Sequence, residues 1–194
     1  KPDSSVVVGA KLVKEGVAQG FVSVGSTGAA VVAAFLNLKM IPGIERAPLC
    51  VVFDANQPKP GMIVDAGVNV NCKPLFLVQF AQLATIMGEQ VLGISSPRIG
   101  LLNNGEEEGK GNRLAKETHQ LLKKTSGVNF VGNLEGFEVL KGKADVIVTD
   151  GFTGNVLIKT IEGYSDVIQN LLELGQAAKI DQYLSGSALV QYVE

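Results

Sequence analysis

Short runs of β-branched and apolar residues alternate along the chain with longer stretches in which apolar positions recur every three or four residues. That alternation is the mark of βαβ units and predicts an α/β fold with a mostly parallel sheet. The spacing predicts strands over Gly20–Val24, Leu49–Phe53, Met62–Asp65, Ile99–Leu102, Asn129–Val131 and Ala144–Thr149. It predicts helices over Ser4–Val17, Thr27–Met40 with Ser26 as its cap, Pro74–Val91, Asn112–Thr125, Glu135–Leu140 and Gly154 to about Gln176. Pro74 falls where a first helical turn tolerates proline, because the N–H it lacks has no intrahelical partner there. No internal repeat, low-complexity tract or Pro/Ser-rich linker interrupts the pattern, so residues 1–194 read as a single domain, with 164–194 as a helical tail.

Composition narrows this. A chain of 194 residues, 46% apolar and 19% charged, buries enough surface to fold without disulfides or structural metals and is neither disordered nor a coiled coil. With 17 basic against 19 acidic residues and a net charge of −2, it has no broad surface for neutralising nucleic-acid phosphates. Cys50 and Cys72 lie in apolar surroundings without a CxxC pair; reduced buried thiols fit them better than a disulfide. The uncharged stretch Gly16–Leu38 is long enough to cross a bilayer, but Gly16, Gly20, Gly25 and Gly28 divide it into strand, turn and helix. His119, on a helix rich in charge, reads as a surface histidine and receives no role. The chain opens on Lys1 without methionine, and the expectation is that an N-terminal segment is missing.

Polar chemistry gathers where the predicted strands end, the place where open α/β sheets bind ligands. Gly25-Ser26-Thr27-Gly28 offers either backbone N–H groups for an anion at a helix N-terminus or plain capping by Ser26. Asp65-Ala66-Gly67-Val68-Asn69 followed by Lys73 is either a phosphate cradle or a turn with a solvated lysine. The run Asn103 to Asn112 carries Glu106, Glu107 and Glu108, a solvated acidic loop unless its place after a strand gives it work. Gly132-Asn133-Leu134-Glu135 is a turn with an N-cap or part of the same edge. Asp150-Gly151-Phe152-Thr153-Gly154-Asn155, with Lys159 a turn later, is the strongest functional candidate, since an ionisable residue ends a buried strand beside two glycines. No metal-ligand spacing and no GxGxxG fingerprint is present, so neither a metal nor a dinucleotide cofactor is expected.

Five segments occur in one recognisable order: VSVGSTGA, DAGVNVNCKP, PRIGLLNNGEEEGKGN, NFVGNLEG and ADVIVTDGFTGNVLIKTIEG, together covering most of Ser4–Gly163. The chain thereby resembles the bacterial phosphate acyltransferases of phospholipid synthesis, the PlsX family. It departs from that family at Ser26, where asparagine is usual, at Val68 and Asn71, where alanine and aspartate are usual, and in the order Arg46-Ala47-Pro48. The resemblance implies an α/β/α sandwich similar to phosphotransacetylases and the isocitrate/isopropylmalate dehydrogenase group, usually homodimeric. It also implies transfer of a long-chain acyl group from acyl-carrier protein to inorganic phosphate, in the cytoplasm, with possible peripheral contact to the membrane.

Phosphate is already an anionic nucleophile, so such a reaction needs positioning and charge stabilisation more than a covalent protein nucleophile. On this resemblance Lys73, the backbone of Gly25, Ser26, Thr27 and Gly28, and an amide of Asn69 or Asn155 would hold phosphate. Asn103 or Asn133 would donate to the developing oxyanion, and Asp150 and Glu107 would orient donors or manage a proton. Lys110, Arg113, Lys116, Lys123 and Lys124 form a candidate dock for the acidic carrier protein, or simply a solvated helix face. Two alternatives stand beside this reading: a short-chain acyltransferase using acyl-coenzyme A, and a noncatalytic lipid-enzyme scaffold that keeps the fold. Family members also carry an N-terminal strand that this chain is expected to lack.

Overall fold

The computed structural model describes residues 3–54 and 58–178. These fall in two compact units, residues 1–155 and 156–194. The first contains α1 (Ser5–Lys14), α2 (Thr27–Leu38), β1 (Cys50–Phe53), β2 (Gly61–Val64), α3 (Pro74–Gln90), β3 (Arg98–Leu102), α4 (Arg113–Leu122), β4 (Asn129–Leu134), a 3-10 turn (Gly136–Lys141), β5 (Val146–Val148) and the start of α5 (Gly151–Ala178). The second, as far as it is described, is the rest of α5, whose Tyr164, Val167, Ile168, Leu171 and Leu172 are exposed. Among the described residues no helix is long and apolar enough to cross a membrane.

The sheet runs β1-β2-β5-β3-β4, as an α/β fold of mostly parallel strands requires. Strands β2, β5, β3 and β4 are parallel, with β3, β4 and β5 each reached through a crossover, whereas β1 leads directly into β2 and is antiparallel to it. Strands β2 and β5 are buried along their whole length, which is why their sequences read as unbroken apolar runs. Helix α3 lays Phe76, Leu77, Phe80, Ala81 and Ala84 into the core formed with Met62, Val64, Ile99, Leu101, Val146 and Val148. Phe80 and Leu77 are almost wholly buried, each contributing about 1.5–3 kcal/mol by removal from water. The close approach of β3 to β4 needs Gly100, where an added Cβ would lie 2.2 Å from Leu134 Cδ1. At this point β4 carries a bulge, Ile99 facing Phe130 and Gly100 facing Gly132, and Gly132 takes the left-handed φ of 105°.

Several expectations need correction. Gly20–Val24 is not a strand: no described strand lies beside it, and Val22 and Val24 are 95% and 103% exposed. Apolar alternation supplies a strand's side-chain pattern but not the neighbour whose N–H and C=O groups it needs. Ser26 precedes α2 without a side-chain capping bond. Helix α5 begins at Gly151, one turn before the expected Gly154, because Asp150 caps it. Strand β4 extends to Leu134, and α4 stops at Leu122. His119 is buried at 3% exposure, not on the surface. Cys50 and Cys72 are free thiols, as expected, but half-buried rather than fully enclosed. Residues 179–194 of the expected tail lie outside the described residues.

Candidate functional site

The registers bring Val64 of β2, Val148 of β5 and Leu101 of β3 side by side, with Asn133 of β4 next in line. With about 4.8 Å between neighbouring strands, the four carboxyl ends span roughly 14 Å. The loops that follow β2, β5, β3 and β4 therefore line one edge of the sheet, and β1 starts at the same edge.

Asp65 organises the first of these loops. Fully buried, it accepts five hydrogen bonds: Oδ1 from the backbone N–H of Leu49 (2.9 Å), Gly67 (3.1 Å) and Val68 (3.2 Å), and Oδ2 from Asn69 N (2.6 Å) and Asn69 Nδ2 (2.8 Å). The loop so formed lies directly against the start of α5. Gly151 N donates to Asn69 O at 2.8 Å, and Asn155 Nδ2 reaches Ala66 O at 3.3 Å. This contact tolerates no side chain on α5's inner face: a Cβ on Gly154 would stand 2.0 Å from Asp65 O, and one on Gly151 would stand 2.8 Å from Asn69 N. Asn69 spends both amide hydrogens, on Ala47 O and Asp65, whereas exposed Asn155 uses one and keeps one to offer.

Three helices begin at this edge, and their first turns differ. Asn112 Oδ1 accepts from Ala115 N and caps α4. Asp150 caps α5, accepting from Thr153 N (2.9 Å) and Thr153 Oγ1 (2.7 Å), so the dipole there already faces a carboxylate. Helix α3 has no side-chain cap and starts from Lys73. The Lys73 ammonium lies 5.8 Å from the centre of the Phe76 ring, and the Arg46 guanidinium lies 6.0 Å from the same ring. Two cations thus flank the Phe76 ring in the uncapped first turn of α3, while the other two helix starts are capped by their own residues. Arg46, brought here because β1 begins at this edge, is a candidate the sequence reading passed over. Between the loop and α5, burial pushes the Cys72 thiol up to about 11, against a smaller opposing pull from the Gly151 N–H. A shallow groove lined by Pro74, Lys116, Glu117, Gln120 and Leu121 opens beside the start of α3.

The acidic loop after β3 is exposed but tethered. Glu106 pairs with Lys143, which also binds Glu138 at 2.7 Å; Glu108 pairs with Lys123 at 2.6 Å. Lys123 holds the Glu108 carboxyl below its ordinary range, and Lys143 does the same for Glu138. Glu107 is the one of the three without an ion pair among the described residues. Its carbonyl accepts from Lys110 N (3.0 Å) and Asn133 Nδ2 (2.9 Å). Asn133 is 3% exposed, so its amide is committed inside the protein, whereas half-buried Asn103 spends one Nδ2 hydrogen on Lys110 O and keeps the other.

The edge thus gathers Asn69, Lys73, Asn103, Glu107, Asn133, Asp150 and Asn155. Gly25–Gly28 is not joined to it by any hydrogen bond among the described residues; the segment is exposed, and its one side-chain contact is Gly25 N to Ser23 Oγ at 3.3 Å.

A family model described as fatty acid synthesis protein matches residues 1–189. The chain belongs to this family. Among fatty acid synthesis protein relatives, the phosphate acyltransferase of Dehalococcoides mccartyi is 50% identical over 190 residues, covering 98% of this chain and 54% of its own length. The phosphate acyltransferase of Syntrophomonas wolfei is 47% identical, covering 90% of this chain and 55% of its own length. The chain spans about half the length of these curated relatives. Among solved structures, the EutD phosphotransacetylase of Staphylococcus aureus matches with a TM-score of 0.63 at 20% identity, over 83% of this chain and 56% of that one. A phosphotransacetylase of Streptococcus pyogenes gives 0.60 at 22%, over 82% of this chain and 54% of that one. At such identities these two structures establish the fold.

Proposed function

We propose that this strand edge is the phosphate-binding side of an acyltransferase site, at which inorganic phosphate attacks the thioester of long-chain acyl-carrier protein to give acyl phosphate and free carrier protein. The observation that carries the reading is the contrast among the three helix starts. A phosphate placed at α5 would meet the Asp150 carboxylate, whereas at α3 it meets Lys73, Arg46 and the positive end of a helix that carries no side-chain cap. The names of the relatives point to the same chemistry. In this arrangement Lys73 and Arg46 seat the phosphate, and Asn155 supplies an amide from across the Asp65 loop. Asn103 has a hydrogen to give to the developing oxyanion; Asn133, bound to the Glu107 carbonyl and His119, and Asp150, capping α5, hold that frame in place. Glu107 is the unpaired carboxylate available to manage a proton. Gly25–Gly28 belongs to the phosphate site only if another part of the protein brings it there.

Incubation with long-chain acyl-carrier protein and phosphate should yield a hydroxylamine-trappable acyl phosphate. Thioester loss that proceeds equally without phosphate indicates a thioesterase instead, and faster turnover with short-chain acyl-coenzyme A replaces the carrier-protein donor. Lys73→Met should lower turnover about ten- to hundredfold, the effect of losing one charge-assisted hydrogen bond, while leaving the melting temperature within a few degrees. Unchanged phosphate kinetics in that variant would return Lys73 to the solvated surface.

A further inference from the structure

His119 lies inside the molecule, on the face of α4 that meets β4, its ring edge-on to Phe130 with centroids 5.0 Å apart. Its Nδ1 is 2.8 Å from Asn133 Oδ1. The other end of that amide decides the proton. Asn133 Nδ2 donates to the carbonyl of Glu107, which can only accept; the oxygen of Asn133 therefore faces the ring, and His119 Nδ1 carries the hydrogen and donates it. His119 Nε2 faces Glu108 Oε1 at 3.9 Å, and that carboxylate is held by Lys123. Three successive residues of the acidic loop are thus fixed from three directions: Glu106 by Lys143, the Glu107 main chain by Asn133, and Glu108 by α4. What the pinning leaves unengaged is the Glu107 carboxylate.

We propose that His119 is a positioning residue of the site, acting through Asn133: its Nδ1–H orients the amide that fixes the Glu107 main chain, and so sets where the Glu107 carboxylate stands at the strand edge. This rests on the reading that the edge is an acyl-transfer site. His119 touches no substrate in it. Removing the ring donor would leave a buried amide oxygen unsatisfied and let the amide turn, after which β4 holds the loop only at its start, where Leu134 O accepts from Asn103 N.

The test compares His119→Leu, which removes the donor, with His119→Asn, whose side-chain nitrogen can stand near the position of Nδ1. Hydrogen exchange of residues 104–111 is read beside phosphate-dependent turnover. The Leu variant should exchange these amides about tenfold faster, with α3 unaffected, and lower kcat about tenfold at unchanged KM for phosphate; the Asn variant should recover both. Unaltered loop exchange in the Leu variant, or an Asn variant as impaired as Leu, overturns the proposal. Should the Leu variant fail to fold, Asn133→Asp keeps the acceptor for His119 but sets a carboxylate against the Glu107 carbonyl. It should speed loop exchange to the same extent, and unaltered exchange there also overturns the proposal. Absence of phosphate-dependent transfer in the unaltered protein would sink the acyl-transfer reading instead, and the exchange measurement still decides the clamp.

Discussion

Two segments of this chain share one sequence grammar: Gly25-Ser26-Thr27-Gly28 before α2 and Gly151-Phe152-Thr153-Gly154 at the start of α5. Their surroundings are opposite. Among the described residues, the only atoms that an added Cβ at Gly25 or Gly28 would approach are the nearby hydroxyls of Ser23 and Ser26, at 3.5 and 3.9 Å. Around Gly151 and Gly154 it would collide with the main chain of the Asp65 loop. The first segment follows an unpaired stretch, the second a buried central strand. Spacing of glycines makes close approach possible; the strand that delivers them decides whether anything is there to approach.

That contrast breaks most sharply under substitution. Gly154→Ala forces a methyl group against Asp65 O and should cost about 3 kcal/mol or more in denaturant unfolding, whereas Gly28→Ala should be neutral or stabilise by less than about 1 kcal/mol. Equal effects at the two sites would erase the distinction. Asp65→Asn retains the shape of the hub but turns a donor toward backbone N–H groups, and should lower stability by about 2 kcal/mol with accelerated exchange of residues 66–69. The exposed segment offers a test of the opposite kind. Supplying the portion of the Dehalococcoides mccartyi relative that this chain does not span should protect amides 20–24 from exchange and raise phosphate-dependent turnover. Amides that stay unprotected in the presence of that portion would mean the segment needs no neighbouring strand.

The smallest effect concerns pH. Burial raises the Cys72 thiol to about 11, so its alkylation at pH 8 should run about a hundredfold slower than that of an unperturbed thiol. A group raised in the folded state favours folding below its unfolded pKa and loses that contribution as pH climbs through its folded value. Cys72 therefore stabilises up to about pH 9, and its contribution fades between there and about pH 11. Gly154→Ala, by loosening the contact between the Asp65 loop and α5, should bring the alkylation rate back toward that of a free thiol.

How much of this is legible beforehand depends on how local the cause is. Strand, turn and helix around Asp65 and Asp150 are written in neighbouring residues: a β-branched run, a glycine, a capping side chain. The central sheet and its functional edge follow from those. His119 is harder to find, because Arg113, Lys116, Glu117 and Lys123 make α4 look solvated. Its position one turn after Ala115 and three residues before Leu122 nevertheless places it on the apolar stripe, and that period was the available clue. Arg46 carries no local mark at all; only the antiparallel pairing of β1 with β2 brings it to the Phe76 ring that Lys73 also faces. Gly20–Val24 shows the converse failure, a strand-like alternation whose pairing partner no local pattern can provide.

The bulge in β4 reaches beyond the packing of Gly100. Strand β4 ends the described sheet on its side, and such a margin offers a ready template for another chain. Val131 is the residue inserted there, and the left-handed turn at Gly132 interrupts the margin after two regular residues. The same irregularity that fits β4 around its neighbour is one of the features that make a strand margin a poorer template for another chain.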